Sequence, residues 1–491
     1  MKEYTRKEFI KLSTAAGAAF LLAACGIGNN KKKEEKKIQA ADTSQKSIPP
    51  VSSTSPSASS LMLIDKNNPL YDGLRKGFNK RIDKYPQVIA LCSSAKDVAE
   101  AIRYANGKGL AIAVKSGGHS MEGFSCNDGG MVINLSKLST VEVLSDNKIK
   151  VGPGCTLAGL YDTILPQGRL LPAGSCATVG IGGLTLGGGY GLFSRKYGLT
   201  CDHLAEATMV DGKGNIIAAK DDAELMWALK GGGAGNFGVV TEMVFNTHEA
   251  PATMSAHHFK AHKLDAARAS SILQTWMDVA PQLPDSCFSG FVLNGSTLNI
   301  LITNYEAESS AMQNLLSKLA AVTDETHGGK PGELASMLRN YYGVGHPVYF
   351  RNSSAGLFKG YSDVSAFISQ IFDKIISTPG MIYQVNTLGG KIKDTEFEKL
   401  SSFPHRAYDF VSELQAYWEN PSQDKKLADV TADILKLTEQ SGITRQYVNY
   451  CSLDFNHWES AYYGDNYSRL QAIKRKYDPD NNIRHPQSVK A

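Results

Sequence analysis

Two nucleophilic side chains stand in glycine-rich segments that lie far apart in the chain. His119 belongs to the run KSGGHS at 115–120, and Cys176 stands near the head of 174–191, where eight of eighteen residues are glycine. Glycine at this density indicates backbone that approaches another group closely or adopts positive φ. A flexible linker is the alternative, but a linker carries Ser, Thr and Lys rather than interleaved Val, Ile and Leu. Taken alone, His119 fits an ordinary turn histidine.

The elements around 115–120 indicate how that segment is positioned. A capping-box-like SAKD at 94–97 starts a predicted helix that ends near Gly107, and 110–114 is a short apolar strand. A strand followed by a glycine turn commonly presents backbone N–H groups to a phosphate. Further strands are predicted at 131–135 and 148–151, and helices at 156–165 and 222–230.

The composition changes after Pro251. Helices are predicted after Asp265 and over 309–322, with a hairpin at 288–302 about the turn Asn294-Gly295-Ser296. Strands and helices without βαβ regularity predict an α+β fold with an antiparallel sheet. The segment 447–488 is aromatic and polar and has no core of its own, so we expect it to pack on the rest.

The N-terminus is typical of an exported lipoprotein. A charged start, an apolar run at 15–24 and LAAC at 22–25 predict a signal peptide over 1–24 and a lipid on Cys25. Residues 5–11 resemble a twin-arginine signal with Lys7 in place of the second arginine, so the export route stays open. Residues 25–62 are low-complexity and predict a tether. We expect a protein anchored to the cell membrane that faces the periplasm or exterior.

Charge and cysteine usage exclude other classes. Ten of the 52 Lys and Arg residues and five of the 48 Asp and Glu residues lie in 1–62, so the remainder carries a net charge of −1. A near-neutral body gives no indication of nucleic acid binding. The eight cysteines include no CxxC pair, which argues against a metal site, and the sequence reveals no disulfide pairing.

Five segments in one order resemble the berberine bridge enzyme-like flavoproteins of the vanillyl-alcohol oxidase superfamily. They are KSGGHSMEGFS at 115–125, the stretch 174–202, KGGGAGNFGVVT at 230–241, YVNY at 447–450 and YDP at 477–479. The resemblance implies a PCMH-type FAD-binding domain of two subdomains over 63–250, an inserted substrate domain over 251–445, and a C-terminal segment over 446–491 that returns to the FAD domain. The inserted domain would be an antiparallel sheet covered by helices.

The same resemblance implies FAD held by two covalent bonds, from His119 to the 8α-methyl and from Cys176 to C6. An imidazole and a thiol are side chains that can add to an oxidised flavin. The expected cofactor-binding residues are Lys115, Ser116, Gly117, Gly118, His119, Ser120, Ser125, Gly174, Cys176, Thr178, Val179, Gly180, Gly183, Gly187, Gly188, Gly191, Val240, Tyr447 and Asn449. Some members carry histidine where Leu184 stands, so any flavin contact of that histidine is missing in this chain.

Removing a hydride from a C–OH group requires a base for the hydroxyl proton. The family pattern points to Tyr450, the second tyrosine of YVNY, with Glu413 in support. The predicted strand near 410–416 leaves the register open by one residue, so Ser412 is the alternative to Glu413. Tyr447 is expected on the opposite face of a strand from Tyr450, where it would line the cofactor.

The expected function is oxidation of a hydroxyl-bearing carbon, or an amine-bearing one, in a small-molecule substrate such as a sugar, oligosaccharide or secondary metabolite. Molecular oxygen or another acceptor would reoxidise the flavin, and no residue decides between them. A non-catalytic binding lipoprotein is the alternative from another class. A noncovalent NAD reductase is disfavoured because the chain has no strand–GxGxxG–helix unit followed by an acidic residue.

Overall fold

The computed structural model describes residues 61–491. The predicted signal peptide, the lipid-anchor residue Cys25 and nearly all of the predicted tether lie outside the described residues. Between residues 61 and 491, no helix has the length and apolar character needed to cross a bilayer.

The described residues form nineteen strands and fourteen α-helices, numbered here in chain order. The strands are β1 Met62–Ile64, β2 Val88–Leu91, β3 Ile112–Lys115, β4 Met131–Asn134, β5 Val141–Val143, β6 Lys148–Val151, β7 Arg169–Leu170, β8 Leu204–Val210, β9 Ile216–Ala218, β10 Val239–Asn246, β11 His248–Glu249, β12 Thr253–Ala261, β13 Cys287–Asn294, β14 Thr297–Asn304, β15 Glu325–Gly328, β16 Gly332–Glu333, β17 Tyr349–Phe358, β18 Met381–Thr387 and β19 Phe410–Trp418. The helices are α1 Tyr71–Arg75, α2 Ala95–Lys108, α3 Leu157–Ile164, α4 Ile181–Leu186, α5 Ser194–Tyr197, α6 Ala223–Leu229, α7 Ala266–Val279, α8 Ser310–Ala320, α9 Leu334–Arg339, α10 Ile368–Ser377, α11 Thr395–Leu400, α12 Asp424–Gln440, α13 Trp458–Tyr463 and α14 Tyr467–Tyr477.

Two small sheets form the N-terminal part. The first has the order β1-β2-β4-β3, with β4 parallel to both β2 and β3. Helix α2 begins where the Ser94 side chain accepts a hydrogen bond from the Asp97 N–H, and its buried face packs on this sheet. The second sheet is antiparallel, with the order β5-β6-β10-β8-β9. Strand β3 ends at Lys115, so the segment 116–120 begins directly at the end of this strand.

The middle of the chain forms a large antiparallel sheet with the order β15-β12-β14-β13-β18-β19-β17, and β16 pairs with β12. Alternate residues of each strand face opposite sides. In β19, Phe410, Leu414 and Ala416 pack in one core with α7, α8, α10 and α12. Glu413 and Gln415 point to the other side, towards the N-terminal sheets. The expected α+β fold with an antiparallel sheet covered by helices is confirmed.

The C-terminal segment packs on the N-terminal part, as expected. Trp458, Tyr462 and Tyr463 belong to the same core as β8 and β10. The fully buried Lys474 Nζ donates to Asp478 at 2.6 Å and to the backbone carbonyls of Asn236 and Ile483 at 2.7 Å each. These bonds join the chain end to the loop before β10. The seven cysteines in the described part are all free thiols.

Candidate active site

One long cavity lies between the two N-terminal sheets, the large sheet and the C-terminal segment. The space between its walls is about 1980 Å³, including the part open to solvent. Four of the five segments singled out in the sequence contribute to its lining, through residues within 116–125, 174–191, 233–240 and 447–451, whereas YDP at 477–479 does not; residues within 484–487 line it as well. Segments from the first half of the chain and from its C-terminal end therefore enclose a single space.

The segment after β3 is packed against the glycine-rich stretch, backbone to backbone. A Cβ on Gly117 would lie 2.3 Å from the Gly180 nitrogen, so only glycine fits there. Ser116, Gly117, Gly118, His119 and Ser120 all line the cavity.

Lys115 was expected at the cofactor, but its side chain turns away from the cavity. Its Nζ donates to the carbonyl of Leu74 at 2.6 Å and also to that of Lys76. Burial lowers the pKa of this ammonium group to about 8. Lys115 therefore holds the segment around α1 in place.

Two contacts fix the orientation of the His119 ring. It stacks on Phe78 with ring centroids 4.1 Å apart, and its Nε2 lies 2.8 Å from Thr178 Oγ1. Burial lowers the pKa of the imidazole to about 4, so the ring is neutral at pH 7. Thr178 was expected at the cofactor, but it does not line the cavity; it contacts His119, which does. Nδ1 is the ring nitrogen that no residue within 61–491 engages.

Cys176 lies in the cavity wall, partly exposed. Burial raises the pKa of its thiol, and the nearby Glu413 carboxylate raises it further. The next residue fixes the segment, because the Ala177 N–H donates to the Tyr342 carbonyl at 3.0 Å. Cys176 is therefore a neutral thiol whose position is set by the large-sheet part of the chain.

The glycine-rich stretch is a short helix flanked by turns. Gly180 precedes α4, and Gly183 within α4 has no atom within 4 Å of where a Cβ would lie. Gly174, Gly180, Gly183 and Gly191 line the cavity, and so do Ser125, Val179, Val240, Tyr447 and Asn449.

Gly187 and Gly188 do not line the cavity, although both were expected there. A Cβ on Gly187 would lie 2.0 Å from Asn449 Oδ1, and one on Gly188 would lie 2.9 Å from the Phe403 ring. These two glycines are required by tight packing behind the cavity wall.

Strand register decides between Glu413 and Ser412. Glu413 faces the cavity, whereas the Ser412 hydroxyl donates to the Gly356 carbonyl at 3.0 Å. The Glu413 carboxylate accepts from Asn352 Nδ2 at 2.8 Å and from Gln415 Nε2 at 2.9 Å. Burial raises its pKa to about 7, because desolvation outweighs these hydrogen bonds.

Tyr450 lies close enough to Glu413 for its hydroxyl to favour the ionised form of that carboxyl group. The expectation that Tyr447 occupies the opposite face of a strand is wrong. Residues 448–450 form a 3₁₀ turn, which brings the rings of Tyr447 and Tyr450 to 5.1 Å. Burial raises the pKa of Tyr450 well above its usual value, and the Glu413 charge adds to this effect.

The sequence interpretation missed Tyr190. Its hydroxyl lies 2.6 Å from that of Tyr450 and accepts from Asn386 Nδ2 at 2.9 Å. The available signal was a tyrosine standing between glycines, because its hydroxyl needs a hydrogen-bond partner when the ring is buried. Its partners, however, lie 196 and 260 residues away along the chain.

The residues present fit FAD. The cavity combines backbone N–H groups after a strand, a glycine floor with space above Gly183, a neutral imidazole and a thiol. Residues 61–491 contain no group of three or more side chains that could hold a metal ion.

Family comparisons agree with this geometry. The FAD binding domain family matches residues 86–220, and the berberine and berberine-like family matches residues 446–490. The FAD-linked oxidoreductase YvdP of Bacillus subtilis is 30% identical over 457 residues, which cover 87% of this chain and 97% of YvdP.

Two further proteins extend the likeness. The chitooligosaccharide oxidase of Gibberella zeae is 28% identical over 84% of this chain and 89% of its own. The crystal structure of aclacinomycin oxidoreductase superposes with a TM-score of 0.80 at 25% identity, over 88% of this chain and 99% of the other. The fold, the cavity and these matches together place the chain in the berberine bridge enzyme-like family of FAD-linked oxidoreductases.

Proposed function

We propose that this protein oxidises a hydroxyl-bearing carbon of a sugar, oligosaccharide or secondary metabolite, with FAD bound covalently through His119 and Cys176. The observation that carries the proposal is that both nucleophiles and the pair Tyr450 and Glu413 line one cavity. The likeness to a chitooligosaccharide oxidase and to aclacinomycin oxidoreductase supports a sugar or a secondary metabolite as substrate. A donor with an amine-bearing carbon is the second possibility for the same site.

The two attachment residues are suited to their roles. Thr178 engages His119 Nε2, and Nδ1 is the nitrogen that would attach to the flavin 8α-methyl. Cys176 would attach to C6 from another wall of the cavity. FAD held by these residues would supply the hydride-accepting redox chemistry, which belongs to the cofactor rather than to the chain.

The chain supplies the path for the hydroxyl proton. The Tyr450 oxygen is placed to accept that proton, while its own proton moves to Glu413. Because its pKa is raised, Tyr450 stays protonated at neutral pH and cannot act as a base by itself. It can take up the substrate proton if it passes its own proton to Glu413, whose carboxyl group has a pKa of about 7.

Oxygen is the proposed acceptor, which would yield hydrogen peroxide; a dehydrogenase with another acceptor and a non-catalytic flavin-fold lipoprotein are the alternatives. We further propose export and lipid anchoring at Cys25, from the pattern at 15–25.

The attachment is tested by denaturing the purified protein in acid and examining the pellet for flavin absorbance. His119→Ala and Cys176→Ala should each retain flavin through one bond, the double variant should release all of it, and Cys92→Ala, in a core away from the cavity, should match the wild type. Release of all flavin from the wild type would refute the covalent claim. Peroxide measured over a panel of sugars would then identify the substrate and the acceptor.

A further inference from the structure

A chain of side-chain amides connects Glu413 to Tyr190 across the cavity face of the large sheet. Gln415 Nε2 lies 2.9 Å from Glu413 and 3.0 Å from Gln384 Oε1. Gln384 Nε2 lies 3.0 Å from Asn386 Oδ1, and Asn386 Nδ2 lies 2.9 Å from the Tyr190 hydroxyl. All three amide side chains are buried.

The carboxylate at one end determines the direction of every hydrogen bond in the chain. An ionised carboxylate only accepts, so the Gln415 group facing it must be the NH₂. That NH₂ also meets Gln384, which must therefore present its oxygen and turn its own NH₂ to Asn386. Asn386 must in turn accept with its oxygen and donate to Tyr190. The amide orientations follow from one charge.

The same direction extends to the two tyrosines. The Tyr190 oxygen accepts from Asn386, which favours Tyr190 as the donor in its bond to the Tyr450 oxygen, 2.6 Å away. Tyr450 would then direct its own proton towards the neighbouring Glu413 carboxylate and keep one lone pair for a substrate hydroxyl. Gln415 therefore donates to Glu413 on one side and to Gln384 on the other, and from Gln384 the donors run in one direction through Asn386 and Tyr190 to Tyr450, which lies beside Glu413.

We propose that Gln384 and Asn386 are positioning residues that polarise Tyr190 as a donor, so that Tyr450 accepts the substrate proton and hands its own to Glu413. The proposal rests on the proposed function, because it assigns a role within the same proton path. Neither amide is required to touch the substrate for this role.

Other groups around Tyr450 act on the same proton. Tyr190 approaches it from the glycine-rich stretch, Tyr447 from its own segment, and Glu413 from β19. Cys176 and Tyr417 in turn face Glu413. Among these groups only Glu413 ionises near neutral pH, so reversing the hydrogen bonds of the amides should be visible above these neighbours.

The test reverses these hydrogen bonds without removing the packing of the amides. In Asn386→Asp, the new carboxylate accepts from both Gln384 and Tyr190, so Tyr190 no longer donates to Tyr450. In Gln384→Glu, Asn386 must rotate to donate to the new carboxylate, and its oxygen then accepts from Tyr190. Gln384→Glu touches neither tyrosine, so an effect equal to that of Asn386→Asp would have to travel through the amides.

Two measurements would detect a reversed direction of these hydrogen bonds. The first is the downfield proton NMR signal of the short Tyr190–Tyr450 hydrogen bond, assigned by its loss in Tyr190→Phe. The second is kcat against pH for the substrate found in the panel. We expect both reversing variants to shift or remove the signal, to lower kcat about tenfold to hundredfold and to move the rise of kcat up by about one to two pH units.

Controls separate direction from packing and charge. Gln384→Met removes the group without imposing a reversal, and Asn299→Asp places a carboxylate at a buried position on the same sheet outside the chain of amides. Both should keep the NMR signal. An unchanged signal in Asn386→Asp, or equal effects of Gln384→Glu and Gln384→Met, would overturn the proposal. The NMR result stands even if the flavin proves noncovalent, so the two proposals fail separately.

Discussion

At the scale of single residues, the environment of Glu413 predicts the pH dependence of turnover. Burial raises the pKa of its carboxyl group to about 7, and the group accepts a proton only when ionised. We therefore expect kcat to rise with pH through about 7. Glu413→Gln should lose this rise and lower kcat about 10²- to 10⁴-fold. The matched control is Ser412→Ala, on the other face of the same strand; an unchanged profile in Glu413→Gln would contradict the assignment.

The sequence predicts the residues of this site only where they stand in contiguous segments. His119, Cys176 and Tyr450 each sit in a local pattern that carries meaning by itself. The pair formed by Tyr190 and Asn386 exists only because a glycine-rich turn and a sheet strand meet across the cavity. Such a contact depends on tertiary packing, which residue spacing does not encode.

At the scale of elements, helix and hairpin predictions held where a local signal marks the boundary. Helix α2 starts at the Ser94 cap, and the hairpin of β13 and β14 turns at Asn294-Gly295-Ser296. The Tyr447 prediction was wrong because alternation of faces applies only to extended backbone, and three residues do not show whether they are a strand or a turn.

Adding one methyl group at each of two glycines in the cavity wall should affect the melting temperature differently. Gly117→Ala would place Cβ 2.3 Å from the Gly180 nitrogen, so we expect a lower melting temperature, by roughly 5 °C or more, and less bound flavin. At Gly183→Ala no protein atom lies near the added methyl group and the position is in α4, so the melting temperature of the flavin-free protein should not fall. Calorimetry of both variants checks this, and equal losses would argue against the observed close approach.

A buried ion pair joins the end of the glycine-rich stretch to the inserted part of the chain. Arg406 Nη2 lies 2.5 Å from Asp202 Oδ1, and both side chains are almost fully buried. Asp202→Ala leaves a buried guanidinium without its partner, so we expect a loss of about 3–5 kcal/mol in unfolding free energy. Asp429→Ala, which breaks the exposed pair with Lys425, should cost at most about 0.5 kcal/mol. Equal costs in urea unfolding would contradict this view of the contact.

At the scale of the whole molecule, the cavity is the common boundary of three parts of the chain. The N-terminal sheets supply the two nucleophiles, the large sheet supplies Glu413, and the C-terminal segment supplies Tyr450. Segment order in the sequence predicts this division, but not the register that turns Glu413 inward or the close approach of Gly187 to Asn449. Those features follow from packing three parts against one another.

Buried histidines predict how the stability of the whole molecule responds to acid. Burial lowers the pKa of His119, His203, His258 and His405 to about 4 and that of His485 to about 3, whereas the unfolded chain titrates histidine near 6.5. Between about pH 4.5 and 6.5 the unfolded chain therefore binds about five protons that the native protein excludes. Glu413 acts oppositely, because its raised pKa lets the native protein hold one proton that the unfolded chain has lost.

The balance is an uptake of about four protons on unfolding, so the free energy of unfolding should fall as the pH falls from 6.5 to 4.5. Urea midpoints measured at several pH values in that window check the sign. His405→Gln removes one of the histidine protons and should lower the slope by about a quarter, whereas His327→Asn, at an exposed position, should leave it unchanged. Stability that rises on acidification, or a slope unaffected by His405→Gln, would show that the native protein does not exclude these protons.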